Sequence, residues 1–242
     1  MDVDGAGRRR LMDDVFRDRG PIWTADGAWL VFYSNRGGRY DLWKIRPDGT
    51  GLRRFTASAT GEDDPTNPRL SPDGRTIAVG LSTEGGSALV LFDLDRPISE
   101  VEDPLPIPKN RVPSFTPIRF SPDQRWIAGY TDAEKTFNPA AGLYDLRTGS
   151  VTVLRAADGQ PLECNDLATG MDWIDEHRLL LWEEKRRSAL VWDIRTGSAR
   201  EVPGVPGPCA IRIVDAGRAL VVSRQRTESD IWMLQLGTVA EP

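Results

Sequence analysis

Four charged side chains recur at one place in the pattern of this chain: Arg69, Arg119, Asp172 and Arg212, spaced by 50, 53 and 40 residues. Each stands immediately before the central apolar residue of a short segment, in "PRLS", "IRFS", "MDWI" and "IRIV", and the matching place in "PIWT" is Ile22. Gathered into a ring, three guanidinium groups and one carboxylate would make a mainly positive surface. The planar arginine fork matches a carboxylate at two points, so such a ring suits capture of a carboxylate or an acidic peptide terminus. The same arginines could instead pair with carboxylates of neighbouring segments or bury their stems, and both readings stay open.

Other chemistry is thin. A hydrolase needs a nucleophile with a base, and the sequence contains no G-x-S-x-G elbow. His177 is the sole histidine and falls at a turn position, which reads as an exposed turn residue; catalysis or metal binding would want further His, Cys or carboxylate partners. The acidic "GEDDP" at 61–65 lacks the alternating carboxylates and defining glycine of a calcium loop and reads as a solvated loop. "EEKRR" at 183–187 reads as a charged hairpin tip. Cys164 and Cys209 fit no metal-ligand spacing; one disulfide or two buried thiols are both compatible with them. No metal, no cofactor and no catalytic residue is expected.

The elements that must position the charged residues come from an internal repeat. "PIWTADGAWLVFYSN" at 21–35 reappears as "PRLSPDGRTIAVGLS" from Pro68, "IRFSPDQRWIAGYT" from Ile118, "MDWIDEHRLLLWEE" from Met171 and "IRIVDAGRALVVSR" from Ile211. A repeat of roughly 40 to 50 residues matches one four-stranded propeller blade. Asp-Gly turns take positive φ at low cost and so join twisted strands tightly. Each turn is followed by a continuous apolar run, such as Trp29 to Tyr33 or Leu179 to Trp182, as expected of a strand buried on both faces. Third strands follow at "YDLWKI", "LVLFDL", "GLYDL", "LVWDI" and "DIWML", with short fourth strands such as "LRRFT" and "VTVL". Within the first copy, Trp23 and the run after Gly27 are expected to pack between blades. The only stretch that suggests even a short helical turn is "LMDDVFRDRG" from Leu11.

The expected fold is therefore all-β: one β-propeller of four-stranded antiparallel blades, five of them recognisable. The blades are placed at 21–64, 65–112, 113–162, 163–208 and an incomplete 209–238, with 1–20 supplying a fourth strand to a preceding or closing blade. "DGAGRRRL" at 4–11 aligns with "DGTGLRRF" at 48–55, so the chain begins inside a repeat. Pairing of Arg8 to Met12 with Ile231 to Leu236 would then close the ring and remove two sheet edges. The alternative is an open fragment of a six-bladed propeller, which would leave apolar blade faces in water.

The "SPDG" turn at Ser71 to Gly74, its "SPDQ" variant at Ser121 to Gln124, "WTADG" at Trp23 to Gly27, and the third strands "DLW" and "SDIW" resemble the TolB-like β-propeller repeat. The resemblance runs over essentially the whole chain. It implies a bacterial propeller, typically six-bladed, of a family that includes periplasmic translocation proteins, propeller caps of prolyl oligopeptidase-type peptidases, and propellers appended to membrane-anchored kinases and regulators. By resemblance the compartment is periplasmic or extracytoplasmic. The opening "MDVDGAGRRR" nevertheless lacks the charged-then-apolar order of a signal peptide.

The 242 residues suffice for one large core, and 23 Gly with 18 Pro point to a turn-rich folded chain. A net charge of −5 disfavours binding to nucleic acid, and no apolar stretch approaches the roughly 20 residues of a membrane span. The expectation is a monomeric, non-catalytic scaffold that binds a protein or peptide partner, without direct membrane insertion. The alternative is a sensory or gating propeller split from a larger membrane-anchored regulator or peptidase. A polysaccharide-lyase-like enzyme is disfavoured because such sites gather several histidines around a metal.

Overall fold

The structure is a computed structural model and describes residues 10–57, 64–83, 86–94, 98–132, 138–164, 170–205, 210–214 and 219–223. The chain divides into two compact units, Met1–Arg111 and Val112–Pro242.

In the first unit, strands β1 (Asp18–Trp23), β2 (Leu30–Ser34), β3 (Asp41–Ile45) and β4 (Arg53–Arg54) form one antiparallel sheet in that order. A short β5 (Thr56–Ala57) follows, then β6 (Asp64–Leu70), β7 (Thr76–Thr83) and β8 (Gly86–Asp93), again antiparallel neighbours in sequence order. β9 (Leu105–Pro106) pairs in parallel with β5. A single 3-10 turn at Ile98–Glu100 is the only helical element among the described residues, and the stretch from Leu11 forms none. Asp14 and Asp18 of that stretch are drawn into ion pairs with Arg36 instead.

In the second unit, β10 (Val112–Pro113) is followed by the sheet β11 (Phe115–Phe120), β12 (Trp126–Thr131), β13 (Ala140–Asp145) and β14 (Ser150–Val153). The next sheet is β15 (Met171–Trp173), β16 (Arg178–Glu183), β17 (Ser188–Asp193) and β18 (Ser198–Val202), and then β19 (Ala210–Val214) pairs with β20 (Ala219–Ser223). The proposed strand pairing of residues 8–12 with 231–236 lies largely outside the described residues. Leu11 and Met12 themselves pack on Leu30, Phe32 and Ile45.

The continuous apolar runs become the second strands, and the reason is visible in β16. Side chains alternate across a strand. Leu179 and Leu181 join the cluster formed with Ile118, Ala128, Leu143 and Met171, whereas Leu180 and Trp182 join the cluster with Val191 and Ile211. Both faces of this strand are therefore covered by neighbouring sheets. Burying one such leucine stabilises the fold by about 1.5–3 kcal/mol relative to leaving it in water. Outer strand β14 alternates between exposed and half-buried positions instead, and β18 mixes the two with no fully buried residue.

The turns owe their shape to a repeated side-chain clasp. Ser71 Oγ donates to Asp73 Oδ1 at 2.6 Å and accepts from Thr76 N at 2.9 Å, while Asp73 Oδ1 also accepts from Arg75 N. Thr24 with Asp26 and Ser121 with Asp123 repeat it. Gln124 takes the left-handed conformation, φ 59°, that Gly27 and Gly74 take in the other copies.

Trp23 does not pack between blades: it is 56% exposed, because β1 alternates and Trp23 falls on an outward position. Trp29 and Phe32, each only 3% exposed, are the aromatics this copy buries instead.

Candidate functional site

The equated positions of the repeat acquire a common geometry on the first strand of each sheet. In β1, β6 and β11 the register with the second strand shifts by a β-bulge, and the first paired residue after it is Ile22, Arg69 and Arg119 respectively. The bulge in β1 runs through Gly20 and Pro21, that in β6 through Asn67 and Pro68, with Gly20 and Asn67 at φ 57° and 48°. A bulge bends the strand and re-aims the side chain that follows it. Asp172 and Arg212 occupy the same place without a bulge, opposite Leu180 and Val221.

In the second unit two of these positions meet, and the residue after a third, Ile213, joins them through its backbone. Arg119 Nε lies 3.2 Å from Asp172 Oδ1, across from β11 to β15. Asp172 is held on both sides: Oδ1 accepts from Trp173 N at 3.0 Å, and Oδ2 accepts from Ile213 N in β19 at 2.9 Å. Trp173 Nε1 donates to the Arg119 carbonyl at 3.3 Å, a second tie between the same strands. Burial pulls Arg119 below the usual arginine range, opposed by the Asp172 charge. Burial likewise pushes Asp172 above the usual aspartate range, opposed by Arg119 and the two backbone donors. Arg212, next to the Ile213 anchor, is exposed. Arg69, in the first unit, is half-buried and donates from Nη1 to the Pro68 carbonyl at 2.9 Å.

The remaining candidates resolve differently. His177 is half-buried, its carbonyl accepts from Ile194 N, and its backbone N donates to Asp175. Glu183 is no solvated tip residue: it is fully buried, Oε1 accepts from Glu163 N and Oε2 from Arg186 N. Cys164 is a free, buried thiol, pushed well above the usual range by burial and three nearby glutamates, so it is a poor nucleophile. Cys209 and residues 61–63 of the acidic run lie outside the described residues, and Asp64 of that run pairs with Arg39. Among the described residues no three His, Cys, Asp or Glu side chains gather to hold a metal, and no helix is long and apolar enough to cross a membrane.

Sequence reading missed Lys44. Its side chain is fully buried, and Nζ donates to the carbonyls of Ile98 at 2.5 Å and Val101 at 2.6 Å. It was hidden inside "YDLWKI", read simply as a third strand; the signal was a lysine set between the apolar Trp43 and Ile45.

The site is an oriented guanidinium–carboxylate pair carried on four-stranded antiparallel sheets, and those sheets define a fold of the β-propeller class. Comparison with solved structures makes the class more particular: the fold is TolB-like. TolB from Acinetobacter baumannii superposes with a TM-score of 0.60 at 17% identity, covering 93% of this chain and 53% of that one. A structure assigned to TolB from Agrobacterium tumefaciens gives 0.62 at 17% identity, covering 88% and 72%. A puromycin hydrolase gives 0.59 at 17% identity, covering 86% of this chain and 34% of that one. In sequence, the chain is 38% identical over 113 residues to an uncharacterized protein of Agrobacterium fabrum, which is 39% of this chain and 38% of that one. The chain thus spans about half the length of the Acinetobacter structure and well under half of the Agrobacterium fabrum relative. No family model matches.

Proposed function

We propose that this protein is a non-catalytic propeller scaffold that binds a protein or peptide partner through the first-strand positions of its repeats. The observation that carries this reading is the convergence of equated residues: Arg119 meets Asp172 at 3.2 Å, and Asp172 grips Ile213 N beside the exposed Arg212. A rigid frame with an oriented polar group and an adjacent exposed cation suits recognition of an acidic surface. The function rests on that site and not on the architecture, since a propeller fold hosts many activities.

The test is site-specific photo-crosslinking in the source cell. A photoreactive residue at position 212 should give a discrete adduct that excess unlabelled protein competes away. The same residue at Arg200, exposed on the outer strand β18, should not. Identical adducts from both positions would sink the reading.

A second reading is a sensory or gating propeller within a larger regulator or peptidase, and the match to about a third of the puromycin hydrolase chain favours it. An immunoblot separates the two: a native band near 26.8 kDa supports the free scaffold, and a substantially larger one supports the second reading.

A further inference from the structure

We infer that Arg119 is the receptor for a ligand carboxylate and that Asp172 is the residue that positions it; this deepens the binding reading above and rests on it. A guanidinium carries five N–H donors in a fixed plane and no acceptor. In Arg119 only the Nε edge faces Asp172, and at 3.2 Å its N–H is not aligned to form a hydrogen bond. Neither terminal nitrogen has a hydrogen-bond acceptor among the described residues, although the side chain is only 23% exposed. The buried Nε is left unpaired, whereas the terminal nitrogens reach the surface, so the fork is open to an incoming group. The group that fits the vacant edge is a planar anion taking two parallel N–H···O bonds, for which a carboxylate is the natural peptide-borne form.

Asp172 cannot be that anion, because it is already committed. Its two oxygens are pinned by the N–H groups of Trp173 and Ile213, so it meets Nε edge-on and cannot swing round to the fork. What it can do is hold the guanidinium plane by attraction while leaving the terminal nitrogens outward. The bulge between Pro117 and Arg119 fixes the other end of the same side chain. Arg212 is exposed and precedes the Ile213 anchor in β19.

This arrangement has a pH consequence. Asp172 is faced by the Arg119 guanidinium from β11, by the Ile213 N–H from β19 and by the Trp173 N–H of its own strand, with Arg119 the charged side chain that acts on it. Protonating Asp172 removes the attraction that holds the guanidinium plane, and burial brings that protonation to milder acidity than for an exposed aspartate. Carboxylate affinity should therefore fall on acidification.

The test uses the full chain labelled with nitrogen-15 at arginine, titrated with N-acetylglycine and, separately, with N-acetylglycinamide. N-acetylglycine, ionised above about pH 4, should shift the Arg119 Nε–H signal saturably, and the amide should bind at least about tenfold more weakly. Arg119→Lys keeps the charge but loses the fork and should also weaken binding by about tenfold. On acidification the parent should bind N-acetylglycine more weakly before the ligand itself protonates, and Asp172→Asn should flatten that profile. Equal responses to acid and amide would overturn the inference on the parent protein alone, whatever the folding of any variant, and so would unchanged binding in folded Arg119→Lys. If the position-212 crosslink persists while the carboxylate response is absent, this inference falls and the partner reading stands. If the response is present and the crosslink is not, the partner reading falls alone.

Discussion

The ammonium of Lys44 lies 4.6 Å from the centroid of the Trp29 ring, in a fully buried position where it also donates to the Ile98 and Val101 carbonyls. The same indole carries Arg46 at 4.6 Å and Arg53 at 5.5 Å, and Arg53 in turn pairs with Glu102. Lys44 thus fastens the 3-10 turn at Ile98–Glu100 to the third strand of the first sheet, across more than fifty residues of sequence.

Burial, reinforced by repulsion from Arg53 and Arg46 and opposed by Glu102, lowers Lys44 from 10.5 to about 8. Below pH 8 the group is protonated in both folded and unfolded chains. Between about 8 and 10.5 the unfolded chain binds the proton more tightly, so this residue makes unfolding free energy rise with pH across that window. Chemical denaturation at pH 7.5, 9 and 10.5 should show the rise, and Lys44→Met should remove this part of the slope. A parent and variant with parallel profiles would contradict the assignment.

Gly129 in β12 lies opposite Pro117, at the bulge that precedes Arg119. A Cβ there would stand 2.2 Å from the Thr116 carbonyl oxygen and 2.7 Å from the Phe115 ring, both fixed by the strand pairing. Gly129→Ala should therefore cost about 1–3 kcal/mol in stability, as overpacking of a tight core does. Because the strain falls on the bulge, the variant should also move the Arg119 Nε–H signal in the absence of any ligand. Thermal unfolding and one arginine-edited spectrum suffice to check both.

Ser121 is fully buried and clasps the third turn, donating to Asp123 and accepting from Trp126 N at 2.9 Å. Ser121→Ala leaves the Trp126 N–H without that acceptor and should cost about 1–2 kcal/mol by denaturant titration. Ser121→Thr should recover most of the loss, since the first copy carries threonine at this place and Thr24 makes the same bonds to Asp26 and Trp29.

The turns were legible in the sequence because their chemistry is local: a hydroxyl, an aspartate two residues on and a residue tolerant of positive φ are all within one short string. The second strands were legible because burial on both faces erases the usual alternation. Trp23 was misread for the complementary reason. Aromatic character marks a residue that can be buried, but only the phase of β1 decides which face it takes, and that phase is set by the bulge at Gly20 and Pro21. Aligning the repeats brought Arg119 and Asp172 to one level of the fold, yet alignment carries no information on side-chain direction, so their pairing and the Ile213 anchor follow only from the folded geometry. Lys44 was missed because its partners are two backbone carbonyls, which have no sequence signature at all.

The Arg119–Asp172 pair should behave as a coupled unit rather than as two independent contributions. Removing one partner leaves the other charge poorly compensated in a mostly buried place, whereas removing both leaves none. For fully buried pairs the single loss is about 3–5 kcal/mol. Arg119 retains 23% exposure, so solvent screening should reduce it to about 2 kcal/mol here. Asp172→Leu also strands the Ile213 N–H, so it should cost more than Arg119→Met. The double variant should then be more stable than the sum of the two losses implies, by about 1–2 kcal/mol. Additive losses in this cycle would mean that the two side chains are neighbours without being coupled. The geometry of the site would then have to be credited to the Trp173–Arg119 carbonyl bond and the bulge alone.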